Sequence, residues 1–440
     1  MSKNGDKQTS ACSRRAFLKS AGLLAGAAAT AQLTIGRAAY AAGSDVVKFG
    51  LIGCGGRGSG AAMNAMDADP GSKLVAMADL FQDKVVGSRD RLKQAKPDQM
   101  DVPDDRCFHG FDAYQKVINS DAQVILIACT SCFHPLYLQT AIAAGKHAFL
   151  EKPHATDVPG LFVVKAACEE AAKKNLSVVS GLCWRYHTGV LETMKRVLDG
   201  AIGDIVAIQE TYMRTPYRLV ERTPEQKELE YQFRNWYHFN WLSGDDILQS
   251  LVHSLDKGAW AMRDEPPVKA YGLGGRSSSW DKPYVYGDVF DHNAVVYEYA
   301  NGARLYGVGR AQNNCYNEVS DILMGTKGRC NLQQHKIEGA TTWEYTGPKC
   351  NMAEEEQREL FKAVRAGKPL NNGNYMFNST MIGILGRMVC YTGKEITWEE
   401  ALKSTYQIGP VNPTWDMEPR VKPDDKGVYP VPIPGVAQQG

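Results

Sequence analysis

The chain has 440 residues and a formal net charge of +1, from 50 basic and 49 acidic side chains. That balance offers no electrostatic attraction to nucleic acid or to an anionic membrane surface, so a small molecule is the expected ligand. Its length exceeds one ordinary domain and predicts two, each with its own core.

The first forty or so residues read as an address rather than as fold. Arg14 and Arg15 precede Phe17 and Leu18, a run of small and apolar residues follows, and Ala39 and Ala41 offer a cleavage site. This is the layout of a twin-arginine signal peptide over residues 1–41, which predicts export of the folded protein by the twin-arginine machinery to the periplasm or beyond. The apolar run is short and rich in Ala and Gly, so it falls short of a membrane span of about 20 residues. Of 11 cysteines, Cys12 lies in this segment, and the other ten are expected as buried thiols of a protein folded before export. Cys129 and Cys132 have the spacing of a redox or metal pair but stand alone, so they read as structural and no metal is expected.

The next segment alternates strands and helices. Val46–Ile52 is a short apolar strand ending in Gly53-Cys54-Gly55-Gly56-Arg57-Gly58, a G-x-G-x-x-G. Gly53 suits a sharp turn, Gly55 a close approach to a pyrophosphate, and Gly58 tight packing of the following helix, whose N-terminus faces the phosphates. A second strand ends at Asp79, where a carboxylate can accept hydrogen bonds from the adenosine ribose. It would repel a 2′-phosphate, and residues 80–83 offer no arginine, so NAD is expected over NADP. Further strands at 121–129 and 147–153 flank a helix at 135–145 and predict a parallel sheet over residues 45–170. Ligands bind beyond the carboxyl ends of such strands, which puts Gly56, Arg57, Thr130, His134, Glu151 and Lys152 on one rim.

Past residue 170 the pattern changes. Segments 204–214, 268–276, 293–312 with its Asn301-Gly302 turn, and 319–332 read as antiparallel strands, followed by helices over 354–369 and 376–394. The fold class predicted is α/β: an N-terminal Rossmann domain plus a C-terminal α+β domain (171–415) with a large, open, mostly antiparallel sheet. A Pro-rich tail (416–440) is expected to be extended. Between the two, Trp184, Arg185, Tyr186, His187, Trp236 and Tyr237 are the kinds of side chain that line a carbohydrate pocket. Arg185, Tyr186 and Trp236 are the candidate substrate contacts.

The glycine loop, Asp79, "HPLYLQTAIAAGKHAFLEKP" and "GDDILQSLVHSLDKGAW" together resemble the Gfo/Idh/MocA oxidoreductases. The resemblance implies that Lys152 sits by the nicotinamide and bonds the substrate oxygen, that His253 serves as acid/base, and that His134 lies near the nicotinamide ribose. It also implies a second-domain sheet with one face walling the site and the other forming a homo-oligomer. One position departs from the family: Gln249 stands where many members have an aspartate, and Gln249 or Asp256 is expected to orient substrate or His253. Because free NAD is not dependably available outside the cytoplasm, a tightly bound cofactor is expected. The leading expectation is an oxidoreductase acting on a secondary hydroxyl of a sugar, glycoside or polyol. A NAD-dependent glycoside hydrolase working through transient oxidation and elimination is the second, and a non-catalytic sugar-binding relative the third.

Overall fold

The computed structural model describes residues 46–277, 287–410 and 413–436. The expected signal segment, 1–41, lies outside the described residues. The chain begins with β1 (Val47–Ile52), α1 (Gly56–Ala68), β2 (Ser72–Asp79), α2 (Gln82–Ala95), β3 (Cys107–His109), α3 (Ala113–Ile118), β4 (Val124–Ile127), α4 (His134–Ala143), β5 (His147–Leu150), α5 (Val158–Lys173) and β6 (Val178–Ser180). Their order in the sheet is β3-β2-β1-β4-β5-β6, all parallel. This is the doubly wound dinucleotide-binding arrangement, whose switch point lies between β1 and β4. The strands are almost wholly buried because helices cover both faces, which is why they read as unbroken apolar runs. Since β6 ends at Ser180, the boundary expected at 170/171 moves to the end of that strand.

After α6 (Thr188–Leu198) comes β7 (Ile205–Arg214), then an excursion carrying α7 (Glu228–Arg234) and α8 (Asn240–Ser243), and then α9 (Val252–Ala261). Strands β8 (Lys269–Gly275), β9 (His292–Glu298), β10 (Arg304–Ala311), β11 (Glu318–Gly325), β12 (Gly328–Asn331), β13 (Lys336–Gly339) and β14 (Trp343–Glu344) follow. They precede α10 (Met352–Ala366), α11 (Gly373–Thr392), β15 (Ile396–Thr397) and α12 (Trp398–Leu402). The second sheet has nine strands, ordered β14-β13-β12-β11-β7-β10-β9-β8-β15. Only the central β7–β10 pair is parallel. Helices α9 and α11 cover one face, burying Leu251, Leu255, Ile382, Leu385 and Val389 against Leu305 and Tyr297. On this sheet Val206, Leu273, Tyr306 and Val319 remain exposed.

Two elements depart from the expected division. Helix α10 returns to the nucleotide domain instead of closing the sheet, because its stripe Leu360, Phe361 and Val364 packs with Phe49 and the alanine face of α1. Arg365 pairs with Asp69 there at 2.6 Å. Among the described residues of the tail, 416–436, no helix or strand forms, yet Tyr429 is buried. All ten cysteines from Cys54 onward are free thiols; against the expectation of burial, Cys315 is exposed and Cys107, Cys129, Cys132 and Cys350 are half-buried.

Candidate active site

A cleft with a cavity volume of about 190 Å³ lies beyond the ends of β1, β2 and β4. Gly53, Gly55, Gly56, Arg57, Asp79 and Thr130 line it, joined by Phe81, Lys84, Phe111, Phe233, Arg234, Trp236 and Tyr237. Gly53 turns the chain at φ +96°, a backbone conformation strained for side-chain-bearing residues. A Cβ at Gly58 would lie 1.8 Å from the Gly53 carbonyl oxygen, so Gly58 serves the close packing of α1. A Cβ at Gly55 or Gly56 would meet nothing within 4 Å; these residues face open cleft. Helix α1 has no side-chain cap and no acidic residue in its first turn, which leaves its N-terminal N–H groups and partial positive charge for a phosphate. Asp79 accepts hydrogen bonds from the N–H of Cys54 (2.7 Å) and of Phe81 (3.0 Å), and burial raises its pKa against them. Its remaining lone pairs suit ribose hydroxyls. The residues present therefore fit a dinucleotide.

The rim beside this cleft is built around Lys152. Glu151 is buried, accepts the Lys152 N–H at 3.1 Å, and pairs with Arg57. Arg57 also reaches Glu356 of α10 at 2.7 Å. Both residues were expected at the cofactor; the geometry makes them a buttress for the Lys152 loop, and only Arg57 lines the cleft. His134 needs a similar correction. It is buried, with Nδ1 2.7 Å from the Pro153 carbonyl and Nε2 3.1 Å from the Cys129 carbonyl; the neutral ring that burial favours donates to one of them, and it packs between the Lys152 loop and the end of β4 without facing the cleft.

Lys152 Nζ donates to the main-chain carbonyl of Gln249 at 2.5 Å. Burial lowers the lysine pKa, with Glu151 opposing and Arg57 assisting. Gln249 lies in a π-turn, Ile247–Leu251, the kind of local widening that recurs at functional sites. The turn explains a miscast expectation. The Gln249 amide faces Ser131 Oγ (3.1 Å) and the Ser243 carbonyl (2.5 Å), away from His253, and it is the backbone oxygen that meets the site. Tyr217 Oη, which sequence reasoning missed, shares that oxygen at 3.3 Å and touches Ser250 Oγ at 3.1 Å. The Arg214 guanidinium stacks on the Tyr217 ring at 3.7 Å, donates to Ser250 Oγ and pairs with Asp246. No local motif marks Tyr217; it lies in the β7–α7 excursion.

His253 is partly exposed, and its buried Nδ1 has no hydrogen-bond partner. Burial holds its pKa well below the ordinary histidine range, helped by the charges of Lys152, Lys257 and Arg57, so the ring is neutral with a free ring nitrogen. Asp256 does not orient it. It accepts from Arg185 Nε (2.9 Å) and Ser379 Oγ (2.7 Å).

That same bond corrects the role of Arg185, whose guanidinium is spent on Asp256 and Asp264 and packs over Tyr375. Tyr186 Oη bonds Asn372 at 2.9 Å. Both are tied into helix and loop packing, and neither lines the cleft. Trp184 covers the Lys257 ammonium, and His187 stacks on His335. Trp236, expected at the sugar, lines the nucleotide cleft, stacked on Tyr237 at 3.8 Å between ring centroids; Tyr237 in turn stacks on Tyr217 at 3.8 Å.

A Rossmann cleft whose rim carries lysine and histidine, backed by a large open sheet, defines a two-domain dinucleotide-binding protein. Residues 47–180 match the family model of Gfo/Idh/MocA oxidoreductases, the oxidoreductase family with an NAD-binding Rossmann fold. The chain is 27% identical over 219 residues to inositol 2-dehydrogenase/D-chiro-inositol 3-dehydrogenase of Halalkalibacterium halodurans, spanning 50% of this chain and 53% of that protein. It is 26% identical over 171 residues to glycosyl hydrolase family 109 protein 1 of Bacteroides fragilis, spanning 38% and 35%. Thus the chain spans about half or less of the length of these relatives. Apo scyllo-inositol dehydrogenase from Lactobacillus casei superposes with a TM-score of 0.61 at 17% identity, covering 80% of this chain and 98% of that one, which establishes the shared fold.

Proposed function

We propose that the protein is a nicotinamide-dependent oxidoreductase of the Gfo/Idh/MocA type, acting on a secondary hydroxyl of a polyol, sugar or glycoside with tightly bound NAD. The observation that carries this reading is the rim itself: Lys152, its pKa lowered, and neutral, partly exposed His253 both stand on elements that flank the nucleotide cleft. Bound NAD supplies the hydride acceptor. Lys152 Nζ, held by the Gln249 carbonyl, donates a hydrogen bond to the substrate oxygen and stabilises its developing negative charge. The partly exposed His253 ring accepts the hydroxyl proton, a role for which its neutral state at pH 7 suits it. The inositol dehydrogenase relative supports a polyol or sugar as substrate. Measured hydride transfer to NAD from a panel of polyols and sugars tests the proposal; a loaded protein that reduces no NAD with any of them would refute it.

A second reading, redox-neutral glycoside hydrolysis through transient oxidation and elimination, is favoured by one observation besides the glycosyl hydrolase relative. Elimination needs a further proton acceptor near Lys152, and Tyr217 Oη shares the carbonyl that Lys152 binds. A non-catalytic sugar-binding role has less support, because Lys152 and His253 are both retained and both carry depressed pKa values. The exposed apolar residues of the nine-stranded sheet support a homo-oligomer formed through that face. The Arg14-Arg15 segment supports twin-arginine export to the periplasm.

A further inference from the structure

Four side chains of the nucleotide cleft come from outside the Rossmann sheet: Phe233 and Arg234 at the end of α7, and Trp236 and Tyr237 just after it. Phe233 and Arg234 stand at the adenosine end, and Tyr237 reaches toward the Lys152 rim through its stack on Tyr217. Phe81, whose N–H bonds Asp79, lies under the Arg234 guanidinium at 4.0 Å, and Arg234 also pairs with Asp83. Helix α7 is thereby docked on the segment that follows the ribose-binding carboxylate.

The C-terminal tail fastens the helix from behind at three successive points. Trp415 packs against Phe81, Phe111 and Phe233, with ring centroids at 5.9, 5.0 and 6.1 Å, and all three rings line the cleft. The Val421 carbonyl accepts from Gln232 Nε2 at 2.8 Å, and Gln232 is fully buried beneath the Trp241 indole N–H. Tyr429 Oη donates to Glu228 Oε1 at 2.7 Å and accepts from Arg222 at 3.0 Å, while its ring meets Phe239 edge-on. An aromatic wall held by a strap crossing 180 or more residues of sequence is costly to open, since moving α7 away from the tail breaks all three attachments.

We infer that α7 and the tail form a clasp over the adenosine end of the cleft, with Trp415 as a positioning residue, and that the clasp retains the dinucleotide through many turnovers. This rests on the NAD reading given above. It deepens that reading, because a cofactor that does not leave must be restored within the same site, by a second substrate or by a later step on the first.

The test is the rate at which bound NADH leaves the full-length protein, followed as loss of its fluorescence after mixing with excess NAD. Wild type should release NADH slowly, and Trp415→Ala at least about tenfold faster, a barrier change of about 1.4 kcal/mol. Trp415 is 38% exposed, so its truncation leaves the core in place, which an unchanged melting temperature checks. Trp415→Phe should restore most of the slow release. Tyr429→Phe, which keeps the ring and loses the bond to Glu228, should accelerate release independently. Release from both variants at the wild-type rate, with NADH bound normally, overturns the clasp alone; wild type that binds no NADH overturns the cofactor reading and the clasp together.

Discussion

His154, two residues beyond Lys152, offers a prediction that links stability to the integrity of the site. Its ring is 0% exposed and wedged between Thr380 Oγ1 (2.7 Å) and Ser180 Oγ (2.8 Å). Burial, aided by His134 and Lys152, pushes its pKa down to about 3 from 6.5. Below pH 6.5 the unfolded chain therefore binds a proton that the folded chain refuses, and stability falls as pH falls. The contribution is whole above 6.5 and declines toward pH 3. At about 1.4 kcal/mol per pH unit, this one residue costs about 2 kcal/mol at pH 5 and about 4 kcal/mol by pH 3, a large share of a typical folding free energy of about 5–15 kcal/mol. Glutamine supplies a donor and an acceptor without titrating. Urea unfolding of wild type and His154→Gln at pH 7 and pH 5 should show the variant losing about 2 kcal/mol less over that interval, whatever its stability at pH 7. Parallel losses would refute the assignment of a buried neutral imidazole here.

Lys152→Ala should lower kcat/KM by about a hundredfold or more while NADH still binds, since the side chain acts on the substrate oxygen; steady-state rates and a binding titration check both halves. His253→Ala should remove the acid limb of the wild-type pH–rate profile, a limb expected below 6.5 because burial and neighbouring cations depress the ring. Gly55→Ala and Gly58→Ala should separate binding from packing. The first weakens NADH binding with little change in melting temperature, because its Cβ enters open cleft, whereas the second destabilises the fold by about 1–3 kcal/mol, because its Cβ meets the Gly53 carbonyl. Tyr217→Phe leaves Lys152 the main donor on the Gln249 carbonyl, which favours the ammonium form, so the limb governed by Lys152 should move to higher pH with cofactor affinity unchanged.

The nucleotide half was legible because its signals are local. An apolar strand, a glycine loop and an acidic strand end lie within about thirty residues, each with one physical reason to be there. The strands of the second sheet were legible from alternation and from the Asn301-Gly302 turn, where Gly302 adopts φ +85°. What escaped depends on contacts distant in sequence. Arg185 resembles a substrate contact until Asp256 and Asp264 are seen to neutralise it, 71 and 79 residues away. Gln249 looked like a side-chain participant, and only a π-turn, which leaves no mark in residue type, exchanges its amide for its carbonyl. Lys84 and Arg234 also stand at the cleft near Asp79, although residues 80–83 contain no arginine; α7 brings Arg234 there from another part of the chain. Trp415 stands at the last position of the expected second domain, just before the Pro-rich segment expected to be extended, yet it packs on three cleft aromatics.

The most direct measurement is the absorbance at about 340 nm, where reduced nicotinamide absorbs, of purified NAD-loaded protein mixed with polyols, sugars and p-nitrophenyl glycosides, with aglycone release followed in parallel. The proposed oxidoreductase predicts stoichiometric, lasting reduction of the bound cofactor by at least one polyol or sugar, without aglycone release. Steady aglycone release with no net reduction would contradict it and establish the redox-neutral hydrolase instead.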